Sequence, residues 1–378
     1  MRLLIGTALD MIAGGVKSHI ESLRQVLAAQ DVYSELVYPD DVTYWWKSIA
    51  VLRAFGSVDR ARVELTKIRT DNVGTKVRKA ISGGNFDLVH THDAMMASWA
   101  AKLSIPVVLT VHGPLSREAV MSRKGTPAYL NYLKKAEQQA YQCASMIIAV
   151  DTGQKEIIIS DYNVSHEKVR VIYNAVDTDI FKPRLSQAER KKQYFLVPRR
   201  LVPKNGVHVA IEALRLIENM EVELWLAGDG SERPALENLA AGLNLTSKVR
   251  FLGSVARNDM INLINESAGI IVPSVPSEGV VEATSIAALE GMSMGKPVFA
   301  TNVGGLAEII QNGLTGFLFE SGNANALGGL LRHALKDMDY SKEIGIKARD
   351  CVIANHSLEV WVKQVLEVYR DAIQTKGR

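Results

Sequence analysis

Short apolar runs alternate along the chain with longer stretches in which apolar residues recur every three or four positions. In the first half the runs are Leu3-Leu4-Ile5, Glu35-Leu36-Val37-Tyr38, Leu88-Val89-His90, Val107 to Val111 and Met146 to Val150. A second series begins at Phe195-Leu196-Val197 and continues through Val222 to Leu226, Val249 to Leu252, Ile270-Ile271-Val272, Val298-Phe299 and Phe317-Leu318-Phe319. Strands separated by helix-length segments predict parallel sheets with crossover helices. The expectation is an α/β chain of two Rossmann-like domains facing across a cleft.

Residues 173 to 183 carry Asn, Asp and Pro with little periodicity, and the polar stretch Gln187 to Gln193 follows, so the linker is placed there. The predicted domains are 1–183 and 184–356. Between Ser357 and Ile373, Leu358, Trp361, Val362, Val365, Leu366 and Tyr369 share one helical face. Residues 357–378 are therefore expected to cross back and pack on the first domain.

Composition narrows the class. A length of 378 residues suits two domains, and 47% hydrophobic with 22% charged residues is the balance of a globular α/β enzyme. The net charge of +3 and the absence of any recognised module argue against nucleic acid as a partner. No run of 18 apolar residues occurs, and the N-terminal run is too short for a signal-peptide core, so a cytoplasmic protein is expected. Cys143 and Cys351 show no metal-ligand spacing and read as inert core residues. Nothing in the sequence sets the oligomeric state.

Four constellations carry candidate chemistry. Gly14-Gly15, followed by Val16, Ile20, Leu23, Val26 and Leu27 on one helical face, reads as a glycine turn opening a helix whose free N–H groups suit an anion. An ordinary βα turn is the plain alternative, and the dinucleotide fingerprint is missing. His90 and His92 end one predicted strand, and His112 ends the next before Gly113, at the edge of a parallel sheet where ligands bind. His90, His92 and Asp93 lack an evident further ligand, so no metal site is expected. Arg200-Leu-Val-Pro-Lys204-Asn-Gly206 puts two cations where a diphosphate would lie, although such basic loops are often only solvated.

The fourth and most specific stretch runs from Ser274 to Val298. It predicts a strand end, an acidic loop with Glu278 and Glu282, and a helix from about Thr284 to Gly295-Lys-Pro297. Glu290 falls about two turns inside that helix, and a ribose diol offers two donors to its carboxylate. The N–H groups of Thr284, Ser285 and Ile286 would face a phosphate.

With these residues the chain resembles the family 4 glycosyltransferases of GT-B architecture over nearly its whole length. Beyond Glu282-x7-Glu290 with Gly295-Lys-Pro297-Val298, the matching pieces are Gly14-Gly15 with His19, His112-Gly113, Val171 to Asp177 with Phe181 and Pro183, Arg200-Leu201, Ala227-Gly228-Asp229-Gly230, Phe251-Leu252-Gly253 and Gly304-Gly305. The resemblance implies a retaining enzyme that moves a hexose or N-acetylhexosamine from a nucleoside diphosphate sugar to a hydroxyl acceptor in a glycan, glycolipid or small-molecule glycoside. A UDP-sugar is the favoured donor and GDP-mannose the next. It implies an acceptor-binding first domain, a donor-binding second domain and no metal or other cofactor. Glu290 would hold the ribose, Arg200 and Lys204 the diphosphate, Glu282 and His112 the donor sugar. Gly15 would turn backbone N–H groups toward the phosphate or acceptor, with Gly14, His19 and His92 on the acceptor side. Asp177-Thr-Asp179, which looks like the metal-binding D-x-D of another transferase fold, sits in the linker and reads as linker structure.

The chain departs from the family pattern at several points. Ala175 stands where Gly is usual, and Asn205 stands where the family places Lys, with Lys204 one place earlier. Ala283-Thr-Ser replaces the common Gly-aromatic-Gly, and Glu278 competes with Glu282 for the sugar contact.

Between Lys47 and Lys79 nine Lys or Arg stand against three acids, close to Tyr44-Trp45-Trp46. That pattern fits peripheral contact with the inner membrane surface or an anionic acceptor, and equally a solvated helix. The competing functions are a sugar-nucleotide epimerase or glycan phosphorylase on the same architecture, and a non-catalytic sugar-nucleotide-binding module.

Overall fold

A computed structural model describes residues 1–9, 15–40, 44–55, 57–121, 125–184, 193–277 and 281–376. The chain forms two compact units, Met1–Tyr173 with Trp361–Arg378, and Asn174–Val360.

In the first unit, strands β1 (Arg2–Gly6), β2 (Tyr33–Val37), β3 (Leu88–Thr91), β4 (Val107–Val111), β5 (Met146–Ala149) and β6 (Val169–Val171) form one parallel sheet in the order β2-β1-β3-β4-β5-β6. Strands β4 and β5 are buried throughout, as expected of central strands covered on both faces. Helices α1 (Gly15–Ala28), α2 (Tyr44–Arg53), α3 (Val58–Gly83), α4 (Ala94–Ala100), α5 (Leu115–Met121), α6 (Pro127–Cys143) and α7 (Thr152–Tyr162) connect them. Their starts are set locally: the Asp93 and Asp151 carboxylates accept the N–H groups of Met96 (2.8 Å) and Gln154 (2.6 Å), capping α4 and α7. Strand order reverses between β1 and β3, and Asp93 also ties that point together by accepting from Thr7 Oγ1 at 3.0 Å.

The second unit repeats the plan. Strands β7 (Gln193–Val197), β8 (Val222–Ala227), β9 (Val249–Gly253), β10 (Gly269–Val272), β11 (Val298–Thr301) and β12 (Phe317–Phe319) are parallel in the order β12-β11-β10-β7-β8-β9. Around them lie α8 (Val207–Arg215), α9 (Arg233–Gly242), α10 (Arg257–Glu266), α11 (Ile286–Ser293), α12 (Gly304–Ile309), α13 (Ala324–Lys336) and α14 (Met338–Asn355). Here the order reverses between β7 and β10, and in open parallel sheets ligands bind outside the carboxyl ends of the strands at such a point.

The final helix, α15 (Leu358–Lys376), buries Trp361, Val362, Val365, Leu366 and Tyr369, and from Trp361 onward it belongs to the first unit. The apolar face seen in the sequence is thus covered by the first sheet's surroundings.

Residues 174–183 pack with the second unit, whereas the sequence reading grouped them with the first. Asn174 donates to the Thr284 carbonyl at 2.9 Å, Val176 N–H to the His356 carbonyl at 3.0 Å, and the buried Phe181 accepts from Ser293 Oγ at 2.6 Å. The Asp177 carboxylate accepts the N–H groups of Asp179 (3.1 Å) and Ile180 (3.0 Å), which makes this D-x-D a turn. Ala175 is not among the residues of positive φ, so its Cβ is accommodated. The cysteines correct another expectation. Cys143 is exposed and Cys351 half-buried, because each lies in the last turns of a helix, at the margin of the core.

Candidate functional site

In the second unit, the loop after β7 and the loop after β10 meet across the reversal point. Arg199 lies two residues beyond β7, and its guanidinium donates to Ser274 Oγ (3.1 Å), Asn205 Oδ1 (2.6 Å), Ser285 Oγ (3.2 Å) and Glu282 Oε2 (2.7 Å). Only about a tenth of either side chain of the Arg199–Glu282 pair is exposed, at 11% and 10%. Asn205 Nδ2 donates to the Arg200 carbonyl at 2.7 Å, which leaves the amide oxygen facing Arg199. The Arg199 Nε is buried and has no hydrogen-bond partner among the described residues.

Burial alone would raise the Glu282 pKa. The charge and hydrogen bond of Arg199, the charge of Lys204 and a bond from Ser274 outweigh it and hold the carboxyl below its usual range. Glu290 behaves in the opposite way. It keeps part of its surface open, yet burial pushes its carboxyl up to about 7, and the Arg257 charge only partly draws it back.

Two glycines bring these segments together. A Cβ on Gly228 (φ +153°) would stand 2.1 Å from the Arg199 carbonyl oxygen, so only Gly lets the end of β8 pass so close behind Arg199. A Cβ on Gly304 (φ +46°) would stand 2.2 Å from the Glu282 carbonyl oxygen, and Gly305 N–H donates to that oxygen at 3.0 Å. The Gly304-Gly305 pair at the start of α12 therefore fixes the Glu282 backbone.

Several sequence expectations change here. Arg200, expected to face the diphosphate, is exposed, and its neighbour Arg199 turns inward instead. Arg199, which the sequence reading did not single out, is held there by Ser274 and Asn205 with Gly228 packed behind its backbone, none of which spacing near position 200 reveals. Helix α11 begins at Ile286 with Ser285 as its N-cap, close to the expected start near Thr284, but Glu290 lies just over one turn inside rather than about two. The open N–H groups are consequently those of Ile286 and its two successors, while Thr284 and Ser285 are buried ahead of them. Lys204 is half-buried and near enough to Glu282 to lower its pKa. Glu278 and Gly14 lie outside the described residues.

In the first unit the structure assembles a group of imidazoles. His19 projects from α1, His92 follows β3 and His112 follows β4, and one ring nitrogen from each lies within 4.8 Å of the others. His92 Nδ1 and His112 Nε2 are 3.2 Å apart, and His19 meets the His112 ring edge-on with centroids 4.6 Å apart. Trp361 of α15 covers His19 at 4.8 Å. Burial, followed by repulsion from neighbouring imidazoles, lowers the pKa of both His92 and His112. The reading that His92 lacks further metal-ligand candidates nearby is corrected, because His19 and His112 come from elements far away in sequence. His90 and Asp93, the neighbours considered first, are engaged elsewhere. His90 pairs with Tyr369 Oη (2.7 Å) and Thr110 Oγ1 (2.8 Å), and Asp93 caps α4. Gly15 opens α1 at the surface.

Two family models match consecutive parts of the chain. Residues 13–180 match Glycosyltransferase Family 4, and residues 179–350 match Glycosyl transferases group 1.

The chain belongs to glycosyltransferase family 4.

Among curated family members, an uncharacterized glycosyltransferase of Methanocaldococcus jannaschii is 29% identical over 312 residues, 78% of this chain and 77% of the relative. The UDP-Gal:alpha-D-GlcNAc-diphosphoundecaprenol alpha-1,3-galactosyltransferase of Escherichia coli is 28% identical over 320 residues, 79% of each. Among solved structures, Anabaena HepE in complex with UDP-glucose superposes with a TM-score of 0.72 at 20% identity, covering 97% of this chain and 98% of that one. The fold is that of the GT-B glycosyltransferases.

Proposed function

We propose that this glycosyltransferase moves a hexose or N-acetylhexosamine from a nucleoside diphosphate sugar to a hydroxyl acceptor with retention of anomeric configuration. A UDP-sugar is the preferred donor and GDP-mannose the second choice. The observation that carries this reading is the buried Arg199–Glu282 pair beside Lys204 and the N-terminus of α11, with Glu290 one turn further on. Relatives whose names include a UDP-galactose donor or a UDP-glucose complex favour the uridine nucleotide.

In this proposal Glu290 accepts hydrogen bonds from the ribose diol, and the α11 N–H groups from Ile286 onward face a phosphate. Arg199 and Lys204 neutralise the diphosphate, with Arg199 taking the part that the resemblance gave to Arg200. As the bond from the sugar C1 to the diphosphate oxygen breaks, negative charge grows on the leaving group. Prearranged cations and helix N–H groups stabilise that charge without reorganisation. The acceptor oxygen bonds to C1 on the same face, and its proton passes to the departing phosphate. No metal is needed for this step. Glu282 and His112 serve as sugar contacts, and Gly15, His19 and His92 stay with the acceptor side. The first unit is thereby the acceptor-binding domain and the second the donor-binding domain.

Attachment to the cytoplasmic face of a membrane is part of the proposal. No described helix is long and apolar enough to cross a membrane. Around the turn from α2 to α3, however, Leu52 (76%), Phe55 (91%) and Val58 (79%) stand exposed beside Arg53 and Arg60, and Trp45 (76%) and Lys47 are exposed in the first turn of α2. Apolar side chains in a basic surround suit an anionic lipid surface.

The test is a panel of UDP-, GDP- and ADP-sugars scored by thermal shift and by nucleotide release with and without EDTA. A true donor stabilises the chain by mass action. Absence of both stabilisation and release across the panel would overturn the reading, and NMR of the product's anomeric proton tests retention.

A further inference from the structure

The imidazole group of the first unit has no part in neutralising a diphosphate, yet it has the form of a metal site. Three histidines from three separate elements, α1, the end of β3 and the end of β4, converge with ring nitrogens within 4.8 Å of one another. Tetrahedral zinc with Zn–N bonds of 2.0–2.1 Å sets its nitrogen ligands about 3.3 Å apart. His92 Nδ1 and His112 Nε2 already stand 3.2 Å apart. Closing the trio asks for a movement of at most about 1.5 Å by the third ring, within reach of a side-chain rotation.

The surroundings favour a metal over a larger ligand. His19 and His92 are buried at 7% and 3% exposure, and of the three rings only His112 is partly open to solvent. His90 is held by Tyr369 and Thr110 and stays outside the set. Three imidazoles with an open further position select a borderline-soft transition ion over magnesium or calcium, which prefer oxygen ligands.

We propose that His19, His92 and His112 bind a divalent transition metal of the zinc class through three imidazole nitrogens. Metal binding stands on this geometry alone. Its consequence, inhibition of transfer by occupation of His112, rests on the sugar-contact role given to that residue above.

The test uses the full chain, stripped with chelator and without any sugar nucleotide, so that its failure is separate from failure of the transferase reading. Titration with cobalt(II) is expected to give the intense visible absorption of a four-coordinate imidazole site at one ion per chain, displaced by zinc. His92→Ala and His19→Gln are each expected to weaken zinc binding at least tenfold, while His166→Ala, on an exposed turn, leaves it unchanged. Circular dichroism reports whether each variant is folded. If a variant does not fold, the cobalt spectrum of the parent chain decides alone. A six-coordinate spectrum, no stoichiometric binding, or equal affinity in folded His92→Ala would overturn the proposal.

Discussion

The Arg199 guanidinium donates to the Glu282 carboxylate at 2.7 Å, with each side chain about nine-tenths buried. This pair joins the loop after β7 to the segment before α11, so it fixes site geometry as well as charge. Breaking a buried pair from one side leaves the other charge uncompensated, at a cost of about 3–5 kcal/mol. Arg199→Ala is accordingly expected to lower the melting temperature by several degrees and to abolish measurable donor binding. Differential scanning calorimetry and nucleotide titration check both, and a variant that melts and binds like the parent contradicts the role given to Arg199.

The two adjacent arginines give a sharp contrast. Arg200 is exposed, and substitutions at exposed positions away from special contacts stay within about 0.5 kcal/mol. Arg200→Ala is expected to keep parental stability and to change UDP affinity far less than Arg199→Ala. Parallel isothermal titrations of the two variants settle which arginine meets the diphosphate. The reverse order would restore the assignment drawn from the resemblance.

The same pair shows how far the sequence could be read. Eleven of the twelve strands among the described residues lie on apolar runs evident in the sequence, because buried parallel strands need such runs whatever their neighbours. Strand β6, Val169–Val171, has Arg170 at its centre and so presents no continuous apolar run ahead of the linker that follows. Glu282, Glu290 and the stop at Gly295 were legible from local spacing. The inward turn of Arg199 was not, since Gly228 and Ser274 impose it from other strand ends. The imidazole trio was half legible: His92 and His112 lie at strand ends, but their convergence with His19 depends on the strand order β1-β3-β4.

Glu290 links ligand binding to pH. Its carboxyl is raised to about 7 by burial, so the folded protein holds a proton there that the unfolded chain has already lost above about 4.5. The sign follows directly: between these values the folded chain binds more protons, and its stability falls as pH rises. A ribose diol donates to the ionised form, so UDP affinity is expected to rise as pH climbs through about 7, with proton release on binding. Glu290→Gln removes the titrating group and should flatten both profiles. Calorimetric titration in buffers of different ionisation enthalpy measures the released proton, and an unchanged profile in the variant refutes the assignment.

Gly304 tests how the Glu282 backbone is held. Its φ of +46° and the 2.2 Å approach of a Cβ to the Glu282 carbonyl oxygen allow no side chain without movement. Gly304→Ala is expected to cost about 1–3 kcal/mol from strain at a positive-φ position. It also displaces Glu282, so turnover should fall by more than the loss of folded protein explains. Comparing specific activity with the folded fraction at the same temperature separates the two effects.

The exposed apolar group at the α2–α3 turn makes the last prediction. Leu52, Phe55 and Val58 gain nothing from their exposure in an isolated chain, and Arg53 and Arg60 add positive charge beside them. Insertion of the apolar tips into a headgroup layer stabilises binding by the area removed from water. Each basic residue near an anionic surface adds about 1 kcal/mol. The chain is expected to cosediment with vesicles containing phosphatidylglycerol, more weakly as salt rises, and not with phosphatidylcholine alone. Leu52→Asp with Phe55→Asp should reduce binding at least tenfold while leaving the melting temperature within about a degree, since neither side chain is packed in the core. Equal sedimentation of parent and double variant would show that the patch does not meet the membrane.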